Sequence, residues 1–459
     1  MISSHHLLCV LSIYNVACFY LIILYFFPQM NKRVAVEVDR LSDLPINVIN
    51  LIQEYVHLDA AARMSILSSK WRYIWASHPK LLIYEHFSRN RNQSGIIHVI
   101  NKILSNHSFG EPIKTFFLDI IPIHFSDHSL LDQWMLFLSK NGLLELTLKN
   151  NNNVNAPYKL PLCVYSIVLL QQLYLSNCIL QPPSCNFRRL ENISLTDVIF
   201  DLDNESSSCF VLCLPILKKL SFVRCRGLYP LNIHAPQLVS FSMSGRGSGT
   251  FNLHSILKCQ KLDELIYYPQ EEVSQNDEMI NMPQLPIIFP KIRHFVFDRY
   301  SLKFMASGIV AKWLPRSFKT LNILHLCDLD LNNTEQMRYL VYLLTSCPNL
   351  SELCTVINYT KSNGLNASLS EIERCKNIKE LNNLEILNLK EFQGSLKEFW
   401  FVMSVRASTP LLKKIIVSFH SGVDEEKASR IYQWLVCLTI MPGLPPNKPQ
   451  IICEPLEKI

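Results

Sequence analysis

Between residues 143 and 389 one short pattern recurs along the chain: an apolar residue, two variable ones, an apolar, one variable, an apolar. It reads "LLELTL" from 143, "LQQLYL" from 170, "LENISL" from 190, "LKKLSF" from 217 and "LVSFSM" from 238. It continues as "LDELIY" from 262, "IRHFVF" from 292, "LNILHL" from 321 and "LEILNL" from 384. The alternation at the end of each hexad has the period of a strand with one hidden face. Successive starts lie 27, 20, 27, 21, 24, 30 and 29 residues apart before a longer gap. No single unit of this size buries its own apolar stripe. Stacked neighbours do, which predicts a solenoid with short parallel strands, one per repeat, over a continuous core.

From residue 39 the spacing turns helical. In "DRLSDLPINVINLIQEYV", Ser42 or Asp43 can cap a helix, Pro45 fits its first turn, and Val48, Ile49, Ile52 and Val56 share one face. Asp59 can cap "AAARMSIL", and Ser68 or Ser69 a short helix carrying Trp71, Ile74 and Trp75. Three such helices bury little surface alone, so a partner or the following domain must cover part of it. At the other end, "LEILNLKEFQGSLKEFWFVMSVRASTPLLKKIIVSF", residues 384 to 419, reads as strand, amphipathic helix, strand. Such a β-α-β unit would extend or cap the parallel sheet.

The repeat period brackets that of leucine-rich repeats. The fold class is therefore α/β: a small all-helical module, an irregular leucine-rich-repeat solenoid and a C-terminal β-α-β cap. The expected divisions are an apolar segment and leader over 1–38, the helical module over 39–87, repeats over 110–383 and the C-terminal unit over 384–459. An Asn at the end of the motif stands out only at Asn177, so irregular curvature and uneven loops are expected. "SGRGSGT" from 244 and "PQEEVSQNDEMINMPQ" from 269 read as solvated loops.

A length of 459 residues exceeds what one compact core serves, and 49% hydrophobic with 18% charged residues excludes a mainly disordered chain. The net charge of +6 is spread without a dense basic block, so nucleic acid is not an expected partner. The 15 cysteines sit among apolar neighbours, as in "LYLSNCIL" and "FVLCLP", and read as reduced, buried thiols. Cys209 and Cys213 lack a second pair of ligands, so no metal site is expected. The sequons at Asn92, Asn192 and Asn366 carry meaning only in a secretory context.

Residues 7 to 27, "LLCVLSIYNVACFYLIILYFF", are uncharged and followed by Pro28, Lys32 and Arg33. That run is long enough to span a hydrocarbon core with the remainder on the cytoplasmic side. It lacks the basic start and small-residue cleavage site of a signal peptide. Met30 is an alternative start, since "MNKRVAVEVDRLSDLP" reads as a polar leader. Both readings stay open, one with a membrane anchor and one with a cytoplasmic or nuclear chain.

The stretch "LSDLPINVINLIQEYVHLDAAARMSILSSKWRYIW" resembles the F-box of plant proteins, through Leu44-Pro45, Ile49, Ile52, Asp59-Ala60, Arg63, Ser65, Leu67-Ser68, Trp71-Arg72 and Trp75. "EFQG" and "TPLLKKIIV" are similar to the FBD domain that closes many plant F-box proteins with leucine-rich repeats. The resemblance implies docking on a Skp-type adaptor and, through it, on the cullin and RING subunits of a ubiquitin ligase. It implies that Leu44, Pro45, Val48, Ile49, Ile52 and Leu67 take part in that contact. Trp71 and Trp75 either join it or pack the module against the adjoining domain. Gln53 and Val56-His57 depart from the family pattern and motivate an alternative, a leucine-rich-repeat interaction protein whose degenerate F-box engages no ligase.

Side chains between and just after the apolar strand positions project from the free side of such a sheet. Thr147, Lys149, Tyr174, Ser176, Ser221, Ser242, Tyr268, Asp298, His325, Asn388 and Lys390 occupy those places and are the candidate contacts for an unidentified protein target. Catalysis finds little support. There is no Gly-x-Ser-x-Gly elbow, phosphate-cradling loop or His-Glu-x-x-His pair, and His325 with Cys327 lacks a third group. No cofactor is implied.

Overall fold

The computed structural model describes residues 44–45, 48–49, 52, 78–84, 93–107, 112–119, 128–150, 157–181, 187–201, 210–228, 231–245, 253–270, 285–306, 318–358, 381–441 and 443–454. Its centre is a single sheet of fourteen strands. Lys80–Ile83, Thr115–Asp119, Glu145–Lys149, Gln172–Ser176, Asn192–Thr196, Lys219–Val223 and Ser240–Ser244 form its first half. Glu264–Tyr268, His294–Asp298, Ile323–Leu329, Glu352–Ile357, Ile386–Phe392, Lys414–Phe419 and Gln450–Glu454 complete it. Order in the chain is order in the sheet, and adjacent strands run parallel.

Each hexad leads into a strand that begins at its third residue, as Leu143 leads into Glu145–Lys149 and Leu384 into Ile386–Phe392. The first apolar residue of the hexad is hidden every time. Leu143, Leu170, Leu190, Leu217, Leu238, Leu262, Ile292, Leu321 and Leu384 are each no more than 1% exposed. With the two inward residues of each strand they form one contiguous core. Full burial of a leucine side chain contributes about 1.5–3 kcal/mol, so repeats that cannot stand alone are held by their neighbours.

The returns behind the sheet differ with repeat length. Spacings of 27, 20, 27 and 21 residues fall where the return contains extended pieces. There Tyr158–Lys159, Cys178–Leu180 and Ile199–Phe200 form a three-stranded sheet, and Phe210–Cys213 pairs with Leu231–His234. Toward either end the returns contain helices: Gln93–Asn106, His128–Ser139, Arg299–Ala306, Thr334–Ser346, Leu396–Ala407 and Glu425–Thr439. A helix advances about 1.5 Å per residue and a strand about 3.3 Å, so a helical return consumes roughly twice the chain.

Three features correct the expectations from sequence. Lys80–Ile83, inside the span read as helical module, is the edge strand of the sheet, paired with Thr115 to Leu118. Glu352–Ile357 fills the long gap after 321, and Gln450–Glu454 adds a final strand beyond the β-α-β unit. That unit itself consists of Ile386–Phe392, Leu396–Ala407 and Lys414–Phe419, its helix opened by a capping box between Ser395 and Glu398.

The turn at the strand end, expected to need Asn, is met by other residues. Asn177, Asp197, Arg224, Asp328 and Glu391 all take φ between 51° and 60°, and Gly245 takes φ 92°. Their backbone N–H groups continue the ladder: Asn177 donates to Thr196 O at 2.9 Å, Asp197 to Val223 O at 2.8 Å and Arg224 to Ser244 O at 2.7 Å. Left-handed geometry, more than the Asn side chain, defines the position.

Near the N-terminus, residues 48, 49 and 52 are helical, and the N–H groups of Val48 and Ile49 donate to Pro45 O at 2.9 and 3.1 Å. Leu67, Trp71, Trp75, Gln53, residues 7 to 27 and most of the two stretches read as loops lie outside the described residues. Among the described residues no helix is long and apolar enough to cross a membrane.

Candidate functional site

Apart from shifts after Leu326 and Leu389 near the ends of two strands, the strands pair without offset, so outward residues of all fourteen fall into lateral rows. One row runs Leu82, Phe117, Thr147, Tyr174, Ser194, Ser221, Ser242, Ile266, Val296, His325, Cys354, Asn388, Ile416 and Ile452. It places the expected residues Thr147, Tyr174, Ser221, Ser242, His325 and Asn388 on one line. Lys149 and Ser176 are direct partners in the next row, and Tyr268 and Lys390 follow their strands' outward places. Asp298 is a correction. It is fully buried, because its carboxylate serves the backbone: Oδ1 accepts from Ser301 N–H and Oγ–H at 2.7 Å each, and Oδ2 from Gln270 N–H at 2.8 Å. Burial pushes that carboxyl up from its usual range.

The row on the other side was missed by the sequence reading. It carries Glu145, Gln172, Asn192, Lys219, Ser240, Glu264, His294 and Glu352, the third place of the hexad and its equivalents. The signal was present, since a period of two puts the third place on the same side as the fifth. These groups are linked across strands. Thr115 Oγ1 donates to Glu145 Oε2 at 3.2 Å, Gln172 Nε2 to Glu145 Oε1 at 3.0 Å, and Tyr174 OH to Gln172 Oε1 at 3.0 Å. Farther along, Ser240 Oγ donates to Glu264 Oε2 at 2.5 Å and His294 Nδ1 stands 2.9 Å from Glu264 Oε1.

Aromatic groups gather at the N-terminal end of the face. The Tyr84 and Phe117 rings lie 4.6 Å apart, and the Lys149 ammonium sits 5.2 Å from the Phe117 centroid. Burial pushes Cys178, Cys225 and Cys327 up to about 12, so these three thiols stay protonated at neutral pH. Among the described residues no group of three or more His, Cys, Asp and Glu could hold a metal ion. The arrangement can hold a partner by shape, hydrogen bonds and local charge.

At the F-box-like turn, Ile49 is fully buried whereas Val48 is 36% exposed and Pro45 exposed. The Ile49 side chain anchors the turn, and Pro45, Val48 and the half-buried Ile52 and Leu44 form its outer side.

The face has its own pH dependence. Hydrogen bonding from His294 and Ser240 holds Glu264 down at about 2, against an ordinary 4.5. Burial, with the nearby His294 and Lys390 cations, pushes His325 down from 6.5 to about 4. Between 6.5 and 4 the unfolded chain therefore binds the additional proton at His325, and stability falls as the pH falls through that window. Below 4.5 the loss continues as Glu264 resists protonation only in the folded state. Urea denaturation at stepped pH should show both arms, and His325→Gln should flatten the upper one alone; an unaltered upper arm would refute the assignment.

An uninterrupted parallel sheet with one strand per repeat is an α/β repeat fold of the kind that leucine-rich-repeat proteins have. Comparison with known proteins agrees. Residues 103–233 match the family model described as At1g61320/AtMIF1, LRR domain. The chain is 25% identical over 408 residues to F-box/FBD/LRR-repeat protein At1g13570 of Arabidopsis thaliana, covering 86% of this chain and 95% of that protein. It is 23% identical over 416 residues to putative F-box/FBD/LRR-repeat protein At5g56810 of the same plant, covering 84% and 91%. Putative F-box/LRR-repeat protein At5g02930, also from Arabidopsis thaliana, is 29% identical over 204 residues, covering 44% and 41%. The chain is a relative of the plant F-box/FBD/LRR-repeat proteins.

Proposed function

We propose that this protein is a substrate-recognition subunit of a Skp-cullin-F-box ubiquitin ligase. The F-box, which begins near residue 39 and ends before the edge strand at Lys80, holds the Skp-type adaptor, and the open face of the sheet holds a protein target. The observation that carries this reading is the joining, in one chain, of an F-box-like turn to a fourteen-stranded face, with likeness over most of its length to relatives named for F-box, FBD and repeats. The strand-helix-strand unit from 384 is assigned as the FBD, continuous with the sheet.

The chain then contributes no reacting group. Holding the target beside the transfer machinery makes a bimolecular step effectively intramolecular, which is the whole of its catalytic contribution. Adaptor contact on this reading uses Leu44, Pro45, Val48 and Ile52, with Leu67, Trp71 and Trp75 from the same module and Ile49 supporting the turn. Target contact uses Thr147, Lys149, Tyr174, Ser176, Ser221, Ser242, Tyr268, His325, Asn388 and Lys390.

The test is binding of the full chain to a plant Skp adaptor. Micromolar or tighter binding is expected, and Val48→Asp should weaken it at least tenfold, about 1.4 kcal/mol, by placing a charge in an apolar contact. Absence of binding by the folded chain would leave a repeat protein that engages no ligase, the reading that Gln53, Val56 and His57 motivate.

A further inference from the structure

The five strands from Glu264–Tyr268 to Ile386–Phe392 bring a distinct cluster to the open face. Glu264, His294 and Glu352 lie in one lateral row, and His325 and Asn388 in the next. Glu264 Oε1 lies 2.9 Å from His294 Nδ1, so that ring is already engaged by a carboxylate. The His325 ring stands edge-on to His294 with centroids 4.9 Å apart. Its Nε2 is 3.8 Å from Glu352 Oε1, too far for a hydrogen bond.

His294 Nε2, His325 Nε2 and Asn388 Oδ1 are each buried without a hydrogen-bond partner. An unmet buried polar atom costs about 1–3 kcal/mol, and those of His325 and Asn388 flank the strand that carries Glu352, which calls for a common explanation. The unmet capacity is of one kind. Asn388 Oδ1 accepts, His325 Nε2 accepts as the Nδ1–H tautomer, and Glu352 adds a negative charge beside them. Side chains of His325 and Glu352 retain 25% and 32% exposure, so small rotations open the cluster outward.

We propose that this cluster receives a guanidinium or ammonium group, an Arg or Lys side chain of the protein target, with its N–H groups donated to the unmet acceptors and its charge set against Glu352. This rests on the reading that the open face holds a target. Arginine fits best, because its planar fork supplies several donors in fixed directions and is weakly hydrated. Lys390, although among the target contacts proposed above, opposes this particular group. Its ammonium acts on both His325 and Cys354, so it disfavours a second cation nearby. Neutralising it should therefore strengthen docking, a gain of binding that a poorly folded variant cannot imitate.

The experiment selects a random displayed peptide library against the full chain, then measures binding of the selected peptides to variants. Expected are peptides with one essential Arg or Lys, whose change to Gln costs at least tenfold, together with a similar loss in Glu352→Gln and a gain in Lys390→Gln. Peptides that need no cation, or are indifferent to Glu352→Gln, overturn the inference, as does failure to select any. Peptides that lose binding in Tyr174→Asp without needing a cation overturn it while preserving the target-binding face. Peptides that bind regardless of every substitution on the face overturn both.

Discussion

Gly227→Ala is expected to lower stability by about 3 kcal/mol, seen as a fall in the urea midpoint. Gly227 sits at φ +72°, where an L side chain costs about 1–2 kcal/mol. A Cβ there would lie 2.2 Å from Phe200 O, a backbone atom. That carbonyl is not free to withdraw, because the chain is laced on both sides: Arg226 N–H donates to Val198 O at 2.9 Å and Phe200 N–H to Arg226 O at 2.9 Å. Relief of such overpacking adds about 1–3 kcal/mol. Gly443→Ala is the control. Its φ is +88° with nothing within 4 Å of the added atom, so only the conformational part should appear. Equal losses at the two sites would show that the close approach at Phe200 does not matter.

Arg406→Leu should cost about 3 kcal/mol and should loosen the C-terminal strand first. Arg406 is fully buried in the helix Leu396–Ala407. Its guanidinium donates to three backbone carbonyls: Pro445 O at 2.7 Å, Thr409 O at 3.4 Å and Asn447 O. Hydrogen bonds to a charged donor contribute about 1.5–3 kcal/mol each, and carbonyls stripped of theirs are costly to leave buried. Replacing a buried side-chain ion pair by apolar groups is often neutral, because both charges go. Here the acceptors are backbone and remain. The segment from Pro445 to Asn447 leads into Gln450–Glu454, so amide exchange in that strand should accelerate ahead of the rest of the sheet. Unchanged protection there would show that the strand is held by its neighbours alone.

The legibility of the fold in the sequence was decided position by position. Nine hexads announced nine strands, because each kept its buried places apolar. The edge strand Lys80–Ile83 was hidden by His78, which occupies the leading buried place at 1% exposure and keeps its ring satisfied by accepting from Lys80 N–H at 3.1 Å. Glu352–Ile357 was hidden by Thr355, fully buried where the pattern wants an apolar residue. The final strand was hidden by Lys448, which stands where a leading apolar residue would be while Pro449 is buried beside it. A polar residue in a core place erases the periodic signal without preventing the strand, since its neighbours supply the pairing.

The site was legible in part for the same reason. Alternation tells which residues face outward, and it aligned Thr147, Tyr174, Ser221, Ser242, His325 and Asn388. It could not tell that Asp298 turns inward to serve Ser301 and Gln270, because that depends on where the next helix begins.

By itself, the sequence determined the repeat, nine of its strands and the outward or inward place of most residues in them. These come from local periodicity, which is written in neighbouring residues. Only the tertiary structure decided which strands align, and so which side chains from distant repeats meet. Glu264, His294, His325, Glu352 and Asn388 are separated by as many as 124 residues in the chain, yet zero-offset register sets them side by side. Lateral register is fixed by the packing of buried leucines between repeats, a long-range property that no single hexad contains.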